Sequence, residues 1–206
     1  MRLFFILGMC VSLLWGIGAT QAGAGEPTTA VKAVLDRAME IQTRADLSGE
    51  AKRAERVRLI RRLIVDNFAF AEMANETVKD RWGQLSTGQR SEFQNLFSEL
   101  FQDSYTRMVL NFLQQENIDY PGESAESAGT LVRTVIVRAN EHIPVDYHLA
   151  QKSGRWLIRD VDIDGVSIVE NYRDTFRNVI VSSSFDGLLK KMRLQSRAIQ
   201  DKGSSE

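Results

Sequence analysis

Two histidines, His142 and His148, are the side chains of this 206-residue chain best suited to proton transfer or metal ligation. Both fall with Asp146 on one side of an alternating run, so the Asp146–His148 pair offers a carboxylate and an imidazole to the same strand face. A zinc centre needs a third protein ligand, and none stands at a fixed spacing. The expectation is a solvated strand face. A second acidic run, Asp160-Val161-Asp162-Ile163-Asp164-Gly165, has the D-x-D-x-D-G opening of a calcium loop. The closing bidentate Glu of such a loop would fall at Asn171, with Glu170 one place early, and a strand leads in where a helix should. A strand ending in a charged turn is expected instead. Third, Lys52, Arg53, Arg56, Arg58, Arg61 and Arg62 crowd one helical segment, offset in part by Glu50 and Glu55. Arg58, Arg61 and Arg62 can share a helical surface. That surface suits anionic lipid headgroups or an acidic partner, and equally a solubilising face. No G-x-S-x-G or phosphate-loop glycine pattern is present. No catalytic centre, metal site or cofactor is expected.

The elements that would position these residues divide the chain in two. The first half is helical by spacing. Val31, Val34, Leu35, Ala38 and Ile41 recur through residues 27–47, and Val57, Ile60, Leu63 and Ile64 through 50–67. Phe70, Met73, Ala74, Thr77 and Val78 do the same between Phe68 and Trp82. Ser86, with Gln89 three places on, makes a capping box that opens a long helix. Phe93, Leu96, Phe97, Leu100, Phe101, Tyr105, Met108, Val109 and Phe112 give that helix one wide apolar stripe. After Asn117 the period changes. Ile118 to Pro121 suggests a short strand and Glu123 to Gly129 a polar connection. Thr130 to Ala139 is β-branched and strand-like, Ile143, Val145, Tyr147 and Leu149 alternate, and Arg155 to Ile163 returns after Ser153-Gly154. Turns this short make these three strands antiparallel neighbours. Ser167 with Glu170 caps a helix bearing Val169, Tyr172, Phe176, Val179 and Ile180, and Ser184 caps a last one with Leu188, Leu189 and Met192 inward. The fold class is α+β: a helical layer on a curved antiparallel meander, followed by C-terminal helices.

The N-terminus carries an address. Met1-Arg2, the uncharged run Leu3 to Ile17, and Ala19-Thr20-Gln21-Ala22-Gly23-Ala24 follow the order of a secretory leader, cleaved after Ala22 or Ala24. The apolar run is too short to span a bilayer, where about 20 residues are needed. Cys10, the single cysteine, lies inside that run and is preceded by Met9, so lipidation is not expected and no disulfide can hold the mature chain. The organisation expected is a signal peptide over 1–22, one domain over 26–200 and a frayed tail over 201–206. Loss of the leader removes only Arg2 among the charges, taking the formal net charge from −1 to −2. That balance excludes nucleic acid as the main partner, which needs an excess of cations.

Several segments stand in order along nearly the whole mature chain: Phe68-Ala69-Phe70-Ala71-Glu72-Met73-Ala74 leading to Trp82, and Leu85 to Phe93 with Phe97, Leu100 and Tyr105 beyond. Ile143-Pro144-Val145-Asp146-Tyr147 and Gly154-Arg155-Trp156 follow, and then Asp160 to Val169 running into Asn171-Tyr172-Arg173 and Phe176. Together they resemble the MlaC family, the periplasmic carriers of the Mla phospholipid-trafficking system, also called toluene-tolerance proteins. The resemblance implies an apolar cavity for phospholipid tails between helices and sheet. It also implies a periplasmic, non-enzymatic carrier moving lipid between an outer-membrane lipoprotein–porin complex and an inner-membrane ABC transporter complex to maintain outer-membrane asymmetry. Ala69 and Ala71 stand where more polar residues are expected of the family, and the alternative is a hopanoid-linked branch of the same family.

A carrier of lipid tails must shelter hydrocarbon from water, since exposure costs about 0.8 kcal/mol per methylene. The candidate lining residues are Phe97, Leu100, Phe101 and Tyr105 from the long helix, and Val135, Val137, Val145, Tyr147, Leu149 and Trp156 from the strands. Val166, Val169, Tyr172 and Phe176 complete the set. Apolar stripes of this kind also build plain cores. The rival readings are an α+β enzyme with an apolar pocket, which needs a His/Asp or Tyr/Asp pair pointing inward, and an envelope adaptor that binds protein only.

Overall fold

A computed structural model describes residues 25–203, with side chains described for 25–201. The expected leader, and the tail beyond residue 203, lie outside the described residues. Helix α1 (Glu26–Thr43) and helix α2 (Arg53–Asn67) are joined by two single 3₁₀ turns, Ala45–Leu47 and Glu50–Lys52. The third expected helix is two short ones, α3 (Phe70–Thr77) and α4 (Lys79–Trp82), because Val78 leaves the helical region between them at φ −133°. Helix α5 (Thr87–Phe112) starts as its sequence demands. The Ser86 hydroxyl accepts from the Gln89 amide at 3.2 Å, and the Gln89 side chain accepts from the Ser86 amide at 3.0 Å.

Five strands then form one open antiparallel sheet in chain order: β1 (Asn117–Glu126), β2 (Gly129–Arg138), β3 (Glu141–Lys152), β4 (Arg155–Ile163) and the short β5 (Val166–Ser167). Helices α6 (Ile168–Ser182) and α7 (Phe185–Gly203) close the chain, α7 running into the expected tail. The α+β class and the meander therefore stand as read from the sequence.

Strand β1 is longer than its sequence suggests. It pairs with β2 from Asn117 through Glu126, and the register shifts between Asp119 and Gly122. Pro121 sits in that irregularity on the edge of the sheet, where a missing N–H breaks no ladder. Turn-forming residues hid a strand that pairing with β2 imposes. Gly129 opens β2 at φ +144°, and a Cβ there would meet the Leu149 carbonyl oxygen at 1.8 Å, so only glycine fits.

The acidic run Asp160 to Gly165 serves the turn and the helix that follows it. Asp160 accepts from the backbone N–H groups of Val161 at 2.8 Å and Val169 at 3.0 Å, and from the Ser167 hydroxyl at 2.5 Å. Ser167 in turn accepts from the Glu170 amide, so Asp160 helps cap α6. Burial raises its pKa, against these hydrogen bonds. Asp164 and Gly165 make the β4–β5 turn at φ +50° and +78°. Among the described residues no group of three His, Cys, Asp or Glu is placed to hold a metal.

His148 does lie on the outer sheet face, where it bonds Glu126 and Asp162, and Asp146 is not among its partners. Its Nδ1 is 3.0 Å from the Glu126 carboxylate and its Nε2 is 3.2 Å from Asp162, while Arg159 donates to Glu126 at 2.8 Å. This cluster ties β1, β3 and β4 together. Burial works against the imidazolium, but the hydrogen bonds of Glu126 and Asp162 outweigh it and raise the pKa of His148. A raised histidine pKa stabilises the fold fully below the unfolded value of about 6.5, and that contribution is lost as pH rises through the folded value. Calorimetry from about pH 6 upward is thus expected to show the melting temperature of the parent falling more steeply than that of His148→Gln. Parallel curves would mean that the cluster does not couple to folding.

Candidate functional site

The apolar stripe of α5 serves two different environments. Its N-terminal part is buried in a solid aromatic cluster. Phe97 meets Tyr172 at 5.3 Å between ring centroids and Phe101 at 5.9 Å, and Phe93 meets Phe176 and Phe185 at 5.6 Å each. Phe68 and Phe70 reach Phe101 at 5.4 Å from the other side. Phe93, Phe97 and Phe101 are at most 1% exposed. The C-terminal part of the same stripe faces a void.

That void holds about 290 Å³ between the helices and the sheet. Its helical wall is Val34, Leu35 and Ala38 of α1, Ile60, Leu63 and Ile64 of α2, and Tyr105, Met108, Val109, Phe112 and Leu113 at the end of α5. Its sheet wall is Ile136 of β2, Ile143, Val145 and Tyr147 of β3, and Ile158, Val161 and Ile163 of β4. Phe68, Ile168 and Arg138 complete it. The parity of Ile158 and Val161 differs, yet both face inward. A register shift allows this: His148 pairs with Asp160 but Leu149 with Ile158, leaving Arg159 as the extra residue of a bulge. A backbone bond from the Ala69 N–H to the Ile158 carbonyl at 2.8 Å fixes the start of α3 against the same strand. Phe112 lines the void while 61% exposed, so the void opens to solvent at the end of α5. Burial raises the pKa values of the Tyr105 and Tyr147 phenols, which therefore stay neutral. Among the described residues, Arg138 alone brings charge to this lining.

Of the lining residues expected from the sequence, Tyr105, Val145 and Tyr147 are brought together in the wall. Phe97, Leu100, Phe101, Val169, Tyr172 and Phe176 instead fill the core beside it, because α3, α6 and α7 close over that end of α5. Leu149, 1% exposed, is buried in that core beyond the void. Trp156 lies on the core margin, its indole N–H 3.5 Å from Glu26, and Val166 is 57% exposed at the β4–β5 turn. Val135 and Val137 point away from the void. Their cross-strand partners are Pro144 and His142, whereas Thr134 and Ile136 pair with Val145 and Ile143. Cross-strand partners share a face, and a two-residue turn pairs odd positions with even ones. That parity was a usable signal for Ile136. The helical lining was visible as amphipathic stripes, but nothing in the stripes says which one meets a void.

The basic stretch around α2 is largely self-neutralised. Arg62 pairs with Asp66 at 2.8 Å, Arg61 with Asp103 at 3.7 Å and Arg58 with Glu55 at 3.8 Å. Arg56 donates to the carbonyls of Leu47 and Gly49.

An open antiparallel sheet covered by helices around a preformed apolar cavity defines an α+β protein of the pocket-bearing class. Within that class the assignment is specific: the chain belongs to the MlaC protein family, whose profile matches residues 32–194. It is 26% identical over 113 residues to the intermembrane phospholipid transport system binding protein MlaC of Haemophilus influenzae, over 52% of this chain and 53% of that one. The chain thus spans about half the length of the curated relative it matches. A phospholipid-binding protein from Ralstonia solanacearum, solved in complex with a phospholipid, superimposes with a TM-score of 0.71 over 86% of this chain and 99% of that one. At 20% identity this likeness shows the shared fold.

The contrast between packed and hollow ends has a measurable consequence. Phe97→Ala opens a cavity in packed core and is expected to cost about 3–5 kcal/mol in urea unfolding. Val145→Ala only enlarges a void already present, and about 1–2 kcal/mol is expected from its lost methyl groups. Equal losses would show that the wall at Val145 is as tightly packed as the aromatic cluster.

Proposed function

We propose that this protein is a periplasmic phospholipid carrier. It is exported by residues 1–22 and the small-residue site after them, and it holds acyl chains in the cavity between the helical layer and the sheet. The single observation that carries this reading is the void of about 290 Å³ whose walls are almost wholly aliphatic and aromatic. Each methylene sheltered there avoids a cost of about 0.8 kcal/mol in water, so the walls replace the apolar surroundings that tails lose on leaving a bilayer. The curated relative is named as the binding protein of an intermembrane phospholipid transport system, and the solved relative holds a phospholipid. The proposed role of this chain is shuttling between an outer-membrane lipoprotein–porin complex and an inner-membrane ABC transporter complex, in support of outer-membrane asymmetry, a reading that membership of the family supports. Direction would then come from the partners. No helix among the described residues is long and apolar enough to cross a membrane.

The lining favours this reading over an apolar-pocket enzyme. Among the described residues it contains no histidine or carboxylate, and His148 is engaged on the opposite sheet face. A hopanoid or another amphiphile would meet the same walls, and the identity of the ligand is an outcome of the test. Organic extraction and mass spectrometry of the purified mature protein are expected to give stoichiometric phospholipid. In Val145→Trp, whose indole projects into the void, bound lipid is expected to fall several-fold while circular dichroism stays that of the parent. A protein that carries no lipid after gentle purification, and takes up none from vesicles, would remove the carrier reading in favour of an adaptor or an enzyme.

A further inference from the structure

The cavity does not open directly into bulk solvent on every side. At the end of α5 it adjoins a polar pocket of about 720 Å³ lined by, among others, Gln42, Gly49, Arg56, Glu116 and Arg138. Arg138 lines both spaces. Its Nη2 donates to the Phe112 carbonyl and, at 3.1 Å, to Glu116. Both protein partners are met through Nη2, which leaves Nη1 and Nε available. Arg56 is arranged in the same way, with Nη1 donating to the carbonyls of Leu47 at 2.5 Å and Gly49 at 2.8 Å. The rim is held in place by Gln42, whose amide spans the carbonyls of Val109, Leu110 and Leu113 at 2.8–3.1 Å. Two anchored guanidinium groups and one carboxylate thus stand where an apolar void meets a roomy polar one.

We propose that this pocket receives the phosphate of an amphiphile whose tails occupy the cavity, with Arg138 as its principal contact and Arg56 adding charge. The inference rests on the lipid-carrier reading above and deepens it. Arg138 is pre-positioned by its Nη2 bonds to Phe112 and Glu116, and it keeps Nη1 and Nε as separate charge-assisted donors for phosphate oxygens, since both planar forks of a guanidinium include Nη2. A lipid entering tail-first at the end of α5 therefore brings its phosphodiester to Arg138, the cation that the described residues place in the cavity wall. Glu116 orients Arg138 and, as a like charge beside the phosphate, also limits how tightly the head is held. A carrier that must release its cargo gains from such a limit.

The test compares loading of phosphatidylglycerol and of diacylglycerol with the same acyl chains, each offered in mixed micelles of the same uncharged detergent to the mature protein and quantified by mass spectrometry. The parent is expected to prefer phosphatidylglycerol, and Arg138→Gln is expected to reduce that preference about tenfold, the scale of a charge-assisted hydrogen bond. Arg138→Lys should restore part of it. Inorganic phosphate in millimolar excess should not lower loading; competition by it would mark a free-anion site and overturn the assignment to a lipid head. Because Arg138→Gln also removes a bond to the end of α5, Glu116→Gln supplies a second variant that leaves Arg138 intact, and it should raise the preference about threefold. An unchanged preference in both variants overturns the proposal. Failure of the parent to load either lipid overturns the carrier reading itself, whereas loading of both without preference overturns only the headgroup site.

Discussion

A void is expensive, and every other part of this fold has to compensate for it. The lining of an apolar void of about 290 Å³ has no partner atoms on one side, so it adds less to stability than packed core does. The net stability of an ordinary domain is only about 5–15 kcal/mol, so such a loss matters. The rest of the structure must therefore be well packed and well capped, with no disulfide to help. A ligand that fills the void recovers much of the deficit, which couples occupancy to stability by mass action.

The compensation is concentrated beside the void. Helix α5 runs from one regime to the other along a single stripe. Phe93, Phe97 and Phe101 interlock with Phe68, Phe70, Tyr172, Phe176 and Phe185, and aromatic pairs of this kind add to the area they bury. Two helical turns later, Met108 and Val109 face open space. The sheet is reinforced from its other side, where Glu126, His148, Arg159 and Asp162 bridge three strands. The bulge at Arg159 serves both needs. It keeps three aliphatic side chains of β4 facing the void, and it brings its own guanidinium to Glu126.

Much of this was legible from residue order. The capping box at Ser86, the length of α5, the alternation of Ile143, Val145, Tyr147 and Leu149, and the meander all appear where periodicity and turn residues put them. Strand β1 was half hidden because Pro121, Gly122 and Ser124 look like loop residues, and only the ladder to β2 makes them extended. The candidate lining was legible only in part. Tyr105, Val145 and Tyr147 face the void, but Val135 and Val137 belong to a strand that is β-branched on both faces, so local hydropathy does not choose a side. Phe97, Tyr172 and Phe176 are apolar for a different purpose, holding shut the end of the molecule that is not hollow.

Hydrophobic period, capping signals and turn chemistry are local, and by themselves they determined the element types, their order, the antiparallel meander and an N-terminal segment with the pattern of an export leader. Whether an apolar stripe meets another stripe or empty space depends on how helices from distant parts of the chain settle on a twisted sheet. Only the tertiary structure decided that α1, α2 and the end of α5 leave a space before the strands while α3, α6 and α7 pack around the start of α5. An apolar side chain gains from leaving water in either arrangement, and the difference between a core and a cavity lies in the distance between the walls.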